Sequence, residues 1–506
     1  MAISTQTRPN TPPEPSTRTR PPLPPSVPRA RTGGAAAPAP ARPRTAVLVL
    51  APAAVALAVG LWGVRRQGTL WRDEAVTYEM ADRGLSGLLR TVEHHDSVFA
   101  LYYLLVHGVF EVCGAGLTQL RLPSVLGAAV AAAGVAVLGR QLAGRGAGLA
   151  AGLAYPLLPH VQQYAQEGRS YALVSAAVVW ATVLFVRAVR EERAGPWAAY
   201  GALALTGCLL HEFAVLAVVA HGVTLLAARA SRTALRGWAV AAGAVTAGLA
   251  PLVLVSMAQA DLVGWIGAPG VAVYAGFAAT LAVGCACAAL AGRETAVVAL
   301  PLLAVPKALL LVVSLVKPLY LERYVLHSSA ALALLLGCAL QAAWHRRGAV
   351  RAGALALACA AVATVAVPAG QHVRAPESRL DDVSAIADAV AARSAPGDGL
   401  LFLPDRRRAW RLPGEPAYGG LRDLALAATP RSSDTLYGTE LPPERVRRAL
   451  LAERRVVVLR DPAGQPPDES ASGLAKRATL RAHFTECGTT EARGARVTLY
   501  ARPGAC

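Results

Sequence analysis

Residues 46–75 read AVLVLAPAAVALAVGLWGVRRQGTLWRDEA. The first part, Ala46 to Val64, is apolar over the roughly 20 residues that a helix needs to cross a bilayer. The last part, Trp71-Arg72-Asp73-Glu74, sets two adjacent acids directly beyond that run. Ionised groups beside hydrocarbon are costly, so acids kept at the lip of a bilayer are functional candidates. Solvated loop acids are the competing reading, and position alone does not choose between them.

The same apolar character recurs outward from this stretch. Of 506 residues, 54% are hydrophobic, and the mean hydropathy is +0.41, too apolar for a soluble chain of this length. Several further runs reach span length and are built from Ala, Leu, Val and Gly, as where membrane helices pack through small residues. The net charge of +18 does not point to nucleic acid. Much of it sits in the N-terminal tail and in short loops between apolar runs, where Arg fixes orientation. Residues 1–44 are rich in Pro, Thr and Arg and nearly devoid of large apolar residues, which predicts a disordered, basic, cytoplasmic tail. That tail is too long and Pro-rich for the leading region of a cleaved signal peptide, so Ala46–Val64 reads as a retained span.

With the tail inside, Asp73 and Glu74 fall outside. Phe99 to Cys113 is short and contains His107 and Glu111. It reads as a juxtamembrane helix within a first outer loop of 65–120. Later spans are expected near 121–140, 147–165, 170–190, 196–211, 213–229, 236–257, 271–291, 295–316, 324–344 and 350–369. The Arg-rich loops then fall inside, and those at 166–169, 211–212, 259–270 and 317–323 fall outside. The expected fold is a polytopic α-helical membrane protein of about eleven transmembrane helices over 45–370. Residues 197–229 are long for one span and short for two, with His211-Glu212 marking a tight outer hairpin.

From 371 to 506 the composition changes. Leu380–Ala392 and Leu441–Ala452 have helical period, while Leu400–Leu403, Val456–Leu459 and Val497–Tyr500 read as strands. A small extracytoplasmic C-terminal α/β domain is expected. Cys487 and Cys506 are the only cysteines in it. An oxidising compartment would allow a disulfide, but spacing alone does not pair them.

The outer loops collect Asp73 and Glu74, His94-His95-Asp96, Gln166 to Tyr171, His211-Glu212 and Tyr320 to Tyr324. Carboxylates suit a general base, and guanidinium groups suit phosphate oxygens. Together they point to group transfer from a lipid-phosphate donor. A transporter or flippase would instead hold ionisable groups near the bilayer midplane between broken, paired helices. A non-catalytic scaffold would be indifferent to loss of Asp73.

Leu70-Trp71-Arg72-Asp73-Glu74-Ala75 resembles the first-loop motif of the GT-C glycosyltransferases, polytopic enzymes that use polyprenyl-phosphate sugars. Leu101-Tyr102-Tyr103-Leu104-Leu105 and Leu120-Arg121-Leu122-Pro123-Ser124 resemble segments of the protein-mannosyltransferase-like branch, of actinobacterial type. Gln166 to Tyr171 and Arg323-Tyr324 are similar to further elements. The resemblance spans about 60–345. It implies Asp73 as general base or acceptor-positioning acid, supported by Glu74. It implies Arg169 and Arg323, with Tyr324, at the donor phosphate. Asp96, His95, Glu167 and Tyr171 would line the acceptor side or stand behind it. The implied reaction moves a sugar, mannose being favoured, from a polyprenyl-phosphate donor to a hydroxyl on a protein, glycan or glycolipid outside the cytoplasmic membrane.

Two departures from the family pattern stand out. Phe99-Ala100 occupies the place of a Pro-Pro pair, and His94-His95-Asp96 replaces a single polar turn. Asp96 could be a second acid or a divalent-metal ligand. Adjacent histidines rarely hold one ion unaided, so no metal is assigned. Other residues read as structural: Arg121 as a span-boundary marker, Tyr102-Tyr103 as an interfacial anchor and His211 as a hairpin polar group. A local Glu167–Arg169 ion pair and a snorkelling Arg323 compete with the donor-site reading.

Overall fold

Apolar runs become helices in lipid because a helix satisfies its own backbone N–H and C=O groups. The computed structural model describes residues 1–2, 43–259, 264–346, 348–412 and 415–506. The expected disorder of 1–44 falls almost entirely outside them. Helix α1 (Pro43–Leu61) carries the opening apolar run. Three short helices follow: α2 (Arg72–Ala81), α3 (Leu85–His94) and α4 (Ala100–Cys113). In α3, Leu88, Thr91 and Val92 are buried along one stripe, the mark of a helix lying on other structure.

The bundle continues through α5 (Leu117–Ala143), α6 (Arg145–Ala154), α7 (Pro159–Ala165) and α8 (Tyr171–Glu191). Next come α9 (Ala194–Leu210), α10 (Val215–Ala228), α11 (Arg232–Ala258), α12 (Val271–Ala291) and α13 (Arg293–Val313). It ends with α14 (Ser328–Trp344), α15 (Ala349–Ala361) and α16 (Val367–Arg374). Among the described residues, six helical segments are long and apolar enough to cross a membrane; five apolar helices are shorter. Val240, Leu254, Val271 and Leu357 are all largely exposed on such helices. Large apolar side chains facing outward in this number require a lipid environment, so this is a membrane protein.

One predicted span is interrupted. Within 147–165, α6 stops at Ala154, a single turn covers Tyr155–Leu157, and α7 restarts at Pro159. Pro156 and Pro159 lack the N–H that a continuous ladder needs. The span expected at 350–369 is continuous over Ala349–Arg374, with a π-helical turn at Val362–Ala366 joining α15 to α16 just before Pro368. Residues 197–229 form α9 and α10, which part at an extended His211.

Small residues let the central helices approach. A Cβ on Gly148 would meet the Ala136 carbonyl oxygen at 2.4 Å, and one on Gly337 would meet the Ala151 nitrogen at 2.3 Å. Polar groups inside the bundle are paired, as lipid demands. His221 of α10 lies 3.0 Å from the Thr182 hydroxyl and 3.1 Å from the Tyr200 hydroxyl, stacked on Phe185.

Beyond α16, helix α17 (Val383–Arg393) leads into β1 (Gly399–Leu403), followed by β2 (Arg422–Asp423). A small ribbon, β3 (Leu426–Ala428) and β4 (Thr439–Glu440), precedes α18 (Pro443–Ala452) and β5 (Arg455–Arg460). Then come α19 (Ala471–His483), β6 (Thr485–Ala492) and β7 (Ala495–Ala501). The main sheet has order β2-β1-β5-β7-β6, with β1 parallel to β2 and β5 and the rest antiparallel. The expected strands and helices are present; α19 and β6 were not expected, because their polar compositions hide both periods. Cys487 and Cys506 are disulfide-bonded.

This α/β part shares a core with the segment after α1. Leu70, Ala75 and Tyr102 pack in one buried cluster with Phe402, Trp410, Val457 and Leu459. The backbone joins too: Val383 N–H donates to Leu70 C=O at 2.9 Å, and Arg72 N–H to the Asp381 carboxylate at 2.7 Å. The chain therefore holds the first turn of α2, with Asp73 and Glu74, between the bundle and the sheet.

Candidate active site

Asp73 and Glu74 lie in the first turn of α2, where unpaired backbone N–H groups favour negative charge. Adjacent helical residues point about 100° apart, and the two acids have different surroundings. Asp73 faces a cluster of arginines. Its Oδ2 is 3.4 Å from Arg323, which follows α13, and 3.9 Å from Arg169, which precedes α8. Arg72 adds a third cation at 3.7 Å. Burial alone would raise the Asp73 carboxyl, but Arg169, Arg323 and Arg72 outweigh it and hold it below the ordinary aspartate value. Asp73 is thus an ionised acceptor at neutral pH.

Glu74, expected beside Asp73 as a second catalytic acid, turns inward instead. It is fully buried, and Arg121 grips it bidentately, Nε to Oε1 and Nη2 to Oε2, each at 2.7 Å. Arg66 donates to Oε2 at 2.5 Å, and the Gly168 N–H to Oε1 at 3.0 Å. Burial pushes this carboxyl up, yet Arg121 and Arg66 bring it down to about 2. With both oxygens occupied, Glu74 has no capacity left for a substrate hydroxyl. What it does is tie α2 to α5 and to the 166–169 loop. Arg121, read as a span-boundary marker, is corrected to a fully buried clamp: its remaining donors reach the carbonyls of Val64 at 2.5 Å and Thr69 at 2.7 Å.

The 166–169 loop brings Arg169 to the centre. Its Nη1 donates to the Tyr103 hydroxyl at 3.2 Å and approaches Asp96 at 3.8 Å, while its guanidinium covers the Phe99 ring at 4.2 Å. Tyr103 in turn donates to Asp96. Tyr102 and Tyr103 are both fully buried, so the interfacial-anchor reading is corrected: the bundle and the α/β part enclose them. Burial raises Asp96 above its usual value despite Arg169. Asp96 itself sits in the left-handed region, with φ of 57°, which turns its carboxylate back under α4. His95 lies half-buried beside it, its imidazole held below the ordinary value by burial and by His94.

Glu167 does not pair with Arg169. Its partner is Arg379, at 3.4 Å, from the segment after α16; burial raises this carboxyl against Arg379 and Arg323. The local ion-pair reading of Glu167–Arg169 is therefore replaced by a long-range contact. Arg323 does not snorkel outward: it is buried between the rings of Trp71, Tyr171, Trp265 and Tyr324, 5.5–5.9 Å from their centres. His211 is not merely a hairpin group. It packs on Tyr324 at 4.6 Å and on Tyr171 at 5.7 Å, completing an aromatic wall.

Four contributors escaped the sequence reading: Arg66, Arg379, Trp265 and Tyr437. Tyr437, between β3 and β4, is half-buried within electrostatic reach of Asp96, Arg72 and Asp73. Nothing in its local sequence signals this, because the contact depends on how the α/β part docks. Buried arginine donors remain unspent at the centre: among the described residues, Nε of Arg169 and Nε of Arg323 have no hydrogen-bond partner. Buried donors without partners mark a place for an anion. Among the described residues no three of His, Cys, Asp or Glu converge as a metal site.

Residues 100–257 match a family model described as dolichyl-phosphate-mannose-protein mannosyltransferase. No curated protein matches the sequence. In fold, the chain is similar to ArnT from Cupriavidus metallidurans in the apo state. The identity is 15%, 89% of this chain and 97% of that one are covered, and the TM-score is 0.52. The same protein bound to undecaprenyl phosphate gives 14%, 90% and 98%, and 0.51. The apo oligosaccharyltransferase of Archaeoglobus fulgidus is similar at 12% identity, over 82% of this chain and 69% of that one, with a TM-score of 0.52. The resemblance to GT-C glycosyltransferases read from the short motifs is thereby borne out.

Proposed function

We propose that this protein is a membrane glycosyltransferase that moves a sugar from a polyprenyl-phosphate donor to an acceptor hydroxyl. The observation that carries the reading is a pair of arginines from two separate loops, Arg169 buried and Arg323 largely so, beside one ionised aspartate, each keeping a buried, unpartnered Nε among the described residues. A phosphate monoanion fits between those guanidinium groups, which would stabilise charge as the sugar departs. ArnT, bound to undecaprenyl phosphate in one of its structures, supports a lipid phosphate as the donor. Mannose is the favoured sugar, on the family model's description.

In this reading Asp73 accepts the proton of the acceptor hydroxyl. The acceptor oxygen bonds to the sugar's anomeric carbon as that carbon's bond to the phosphate oxygen breaks. The electron pair leaves with polyprenyl phosphate, held by Arg169 and Arg323. Inversion at the anomeric carbon follows from one such displacement and is favoured by family analogy. Tyr171, Tyr324 and His211 form the wall beside Arg323, and Asp96 orients Arg169 through Tyr103. Glu74 acts as a positioning residue. The chain crosses the membrane about eleven times, with the N-terminus inside and the site and α/β part outside, the arrangement that keeps the Arg-rich loops cytoplasmic.

Asp73→Asn tests the assignment. With labelled polyprenyl-phosphate mannose and purified protein, transfer should fall by about 10²–10⁴-fold, the usual worth of a positioned base, with thermal stability retained. Undiminished turnover would end the proposal.

A further inference from the structure

A second crevice lies in the α/β part, away from Asp73. Strands β1 and β5 are adjacent and parallel. The chain leaving β1 returns on one side as β2, and the chain leaving β5 passes through α19 to β6 and β7 on the other. Connections that diverge from neighbouring parallel strands leave a crevice at their carboxyl ends, the usual ligand position in open α/β sheets. Here that place holds a cavity of ≈ 190 Å³, between the ends of β1 and β5, helix α19 and the Pro-rich loop 461–470.

Its lining is cationic. Arg460, Arg477, Arg481 and Arg496 all contribute, beside the Tyr500 ring. Of the lining acids, Asp461 is paired by Arg406 at 3.3 Å and by Arg407, while Asp468 accepts only from the Ser470 N–H at 3.0 Å. Glu486 stands 3.7 Å from Arg460. Arg496 donates to the Asp461 carbonyl at 3.0 Å and Arg477 to that of Asp468, each leaving further guanidinium donors free among the described residues. Arg460 is held by Tyr500 at 3.0 Å and Thr498 at 2.7 Å, yet its buried Nε has no partner among the described residues. Arg481, on the exposed rim, makes no hydrogen bond or ion pair among the described residues. A converging set of guanidinium groups with spare donors selects an oxyanion. Below the roughly 300 Å³ of a drug-sized site, the cavity admits one small group. Tyr500 and the prolines of the loop offer an apolar wall for a ring.

We infer that this crevice is a second ligand site, which binds a phosphate or carboxylate carried on a monosaccharide-sized polyol. The inference is independent of the reaction proposed at Asp73.

Calorimetry on the purified full chain tests it, with glucose 6-phosphate, glucuronate, inorganic phosphate and glucose as probes. Glucose 6-phosphate and glucuronate should bind and weaken as salt rises, whereas glucose should not bind. Arg481→Gln and Arg477→Gln should each lower that affinity about tenfold, and Arg481→Gln should leave the melting temperature unchanged. Asp73→Asn should leave binding intact, which separates this site from the other. Inorganic phosphate binding as tightly as the sugar phosphate would uphold the oxyanion site and place recognition in the anion alone. If none of the anions binds, or if both arginine variants bind like the original, the inference is overturned.

Discussion

The two neighbouring acids of α2 divide the work because a helix turns them apart: Asp73 lies beside arginines that keep spare donors, and Glu74 is gripped by Arg121 and Arg66. For Glu74 the consequence is a pH-dependent contribution to stability. Its value in the folded protein, about 2, lies below that of an ordinary glutamate, roughly 4.3. A depressed carboxyl stabilises the fold above its unfolded value and loses that contribution as pH falls through the folded one, here between about pH 4.3 and 2. The displacement corresponds to about 3 kcal/mol. Chemical unfolding of Glu74→Gln and the original protein should therefore differ most near neutrality and converge towards about pH 2. A gap that persists unchanged at the lower end would refute the buried clamp. Gly168 is the second lever on this knot. A Cβ there would fall 2.6 Å from Leu120 Cγ, and Leu120 is fully buried. Gly168→Ala should push the loop carrying Arg169 aside, costing about 1–3 kcal/mol. Transfer should fall by as much as about 10²-fold, since a shift near 1 Å at a reacting centre has that effect. Kinetics and thermal unfolding on the same preparation check both parts.

Helices and strands differ in how plainly the chain announces them. Apolar runs such as those of α5, α8 and α12 are visible because lipid permits no polar face there. Strands β1 and β5 are visible as short buried Leu and Val runs. The break at Tyr155–Leu157 was missed although the prolines were in view, because proline alone does not say whether a helix kinks or stops. At the site, loop position gathered Asp73, Arg169 and Arg323 among the outer polar residues, and the family resemblance singled them out. The roles of Glu74, Arg121 and Tyr103 could not, because they depend on which way each side chain turns in a fold built from distant segments. Close helix approach is the other feature that local sequence hides. Gly337 of α14 has the backbone of α6 against it, with no room for a side chain. Gly337→Leu should separate α14 from α6 and lower the melting temperature in detergent, at a cost of about 1–3 kcal/mol. The same change at Gly353 of α15, which has nothing within 4 Å, should be nearly neutral. Equal losses at the two positions would contradict this packing.

Across the whole molecule, the α/β part roofs the site through one loop between β3 and β4. That loop carries Tyr437 to the arginine–aspartate cluster. Charges on α3 and in the turn before it hold its outer edge: Arg90 meets Asp434 through two bonds of 2.7 and 3.2 Å, and Arg83 donates to the Thr435 carbonyl at 2.7 Å. The Arg90–Asp434 pair is exposed and adds little to global stability. With Arg431, which meets Asp82 at 2.5 Å, it ties the edge of the roof to the segment around α2 and α3. Reversing either charge alone, Arg90→Asp or Asp434→Arg, sets like charges face to face and should lift the loop. The acceptor KM should then rise about three- to tenfold while the melting temperature stays nearly constant, because the shared core of Leu70, Tyr102, Phe402 and Trp410 is untouched. The double variant restores opposite charges in swapped positions and should recover the original KM. A double variant as impaired as the singles would mean that the two residues act separately, and the roof would then owe its position to the core beneath it and not to this pair.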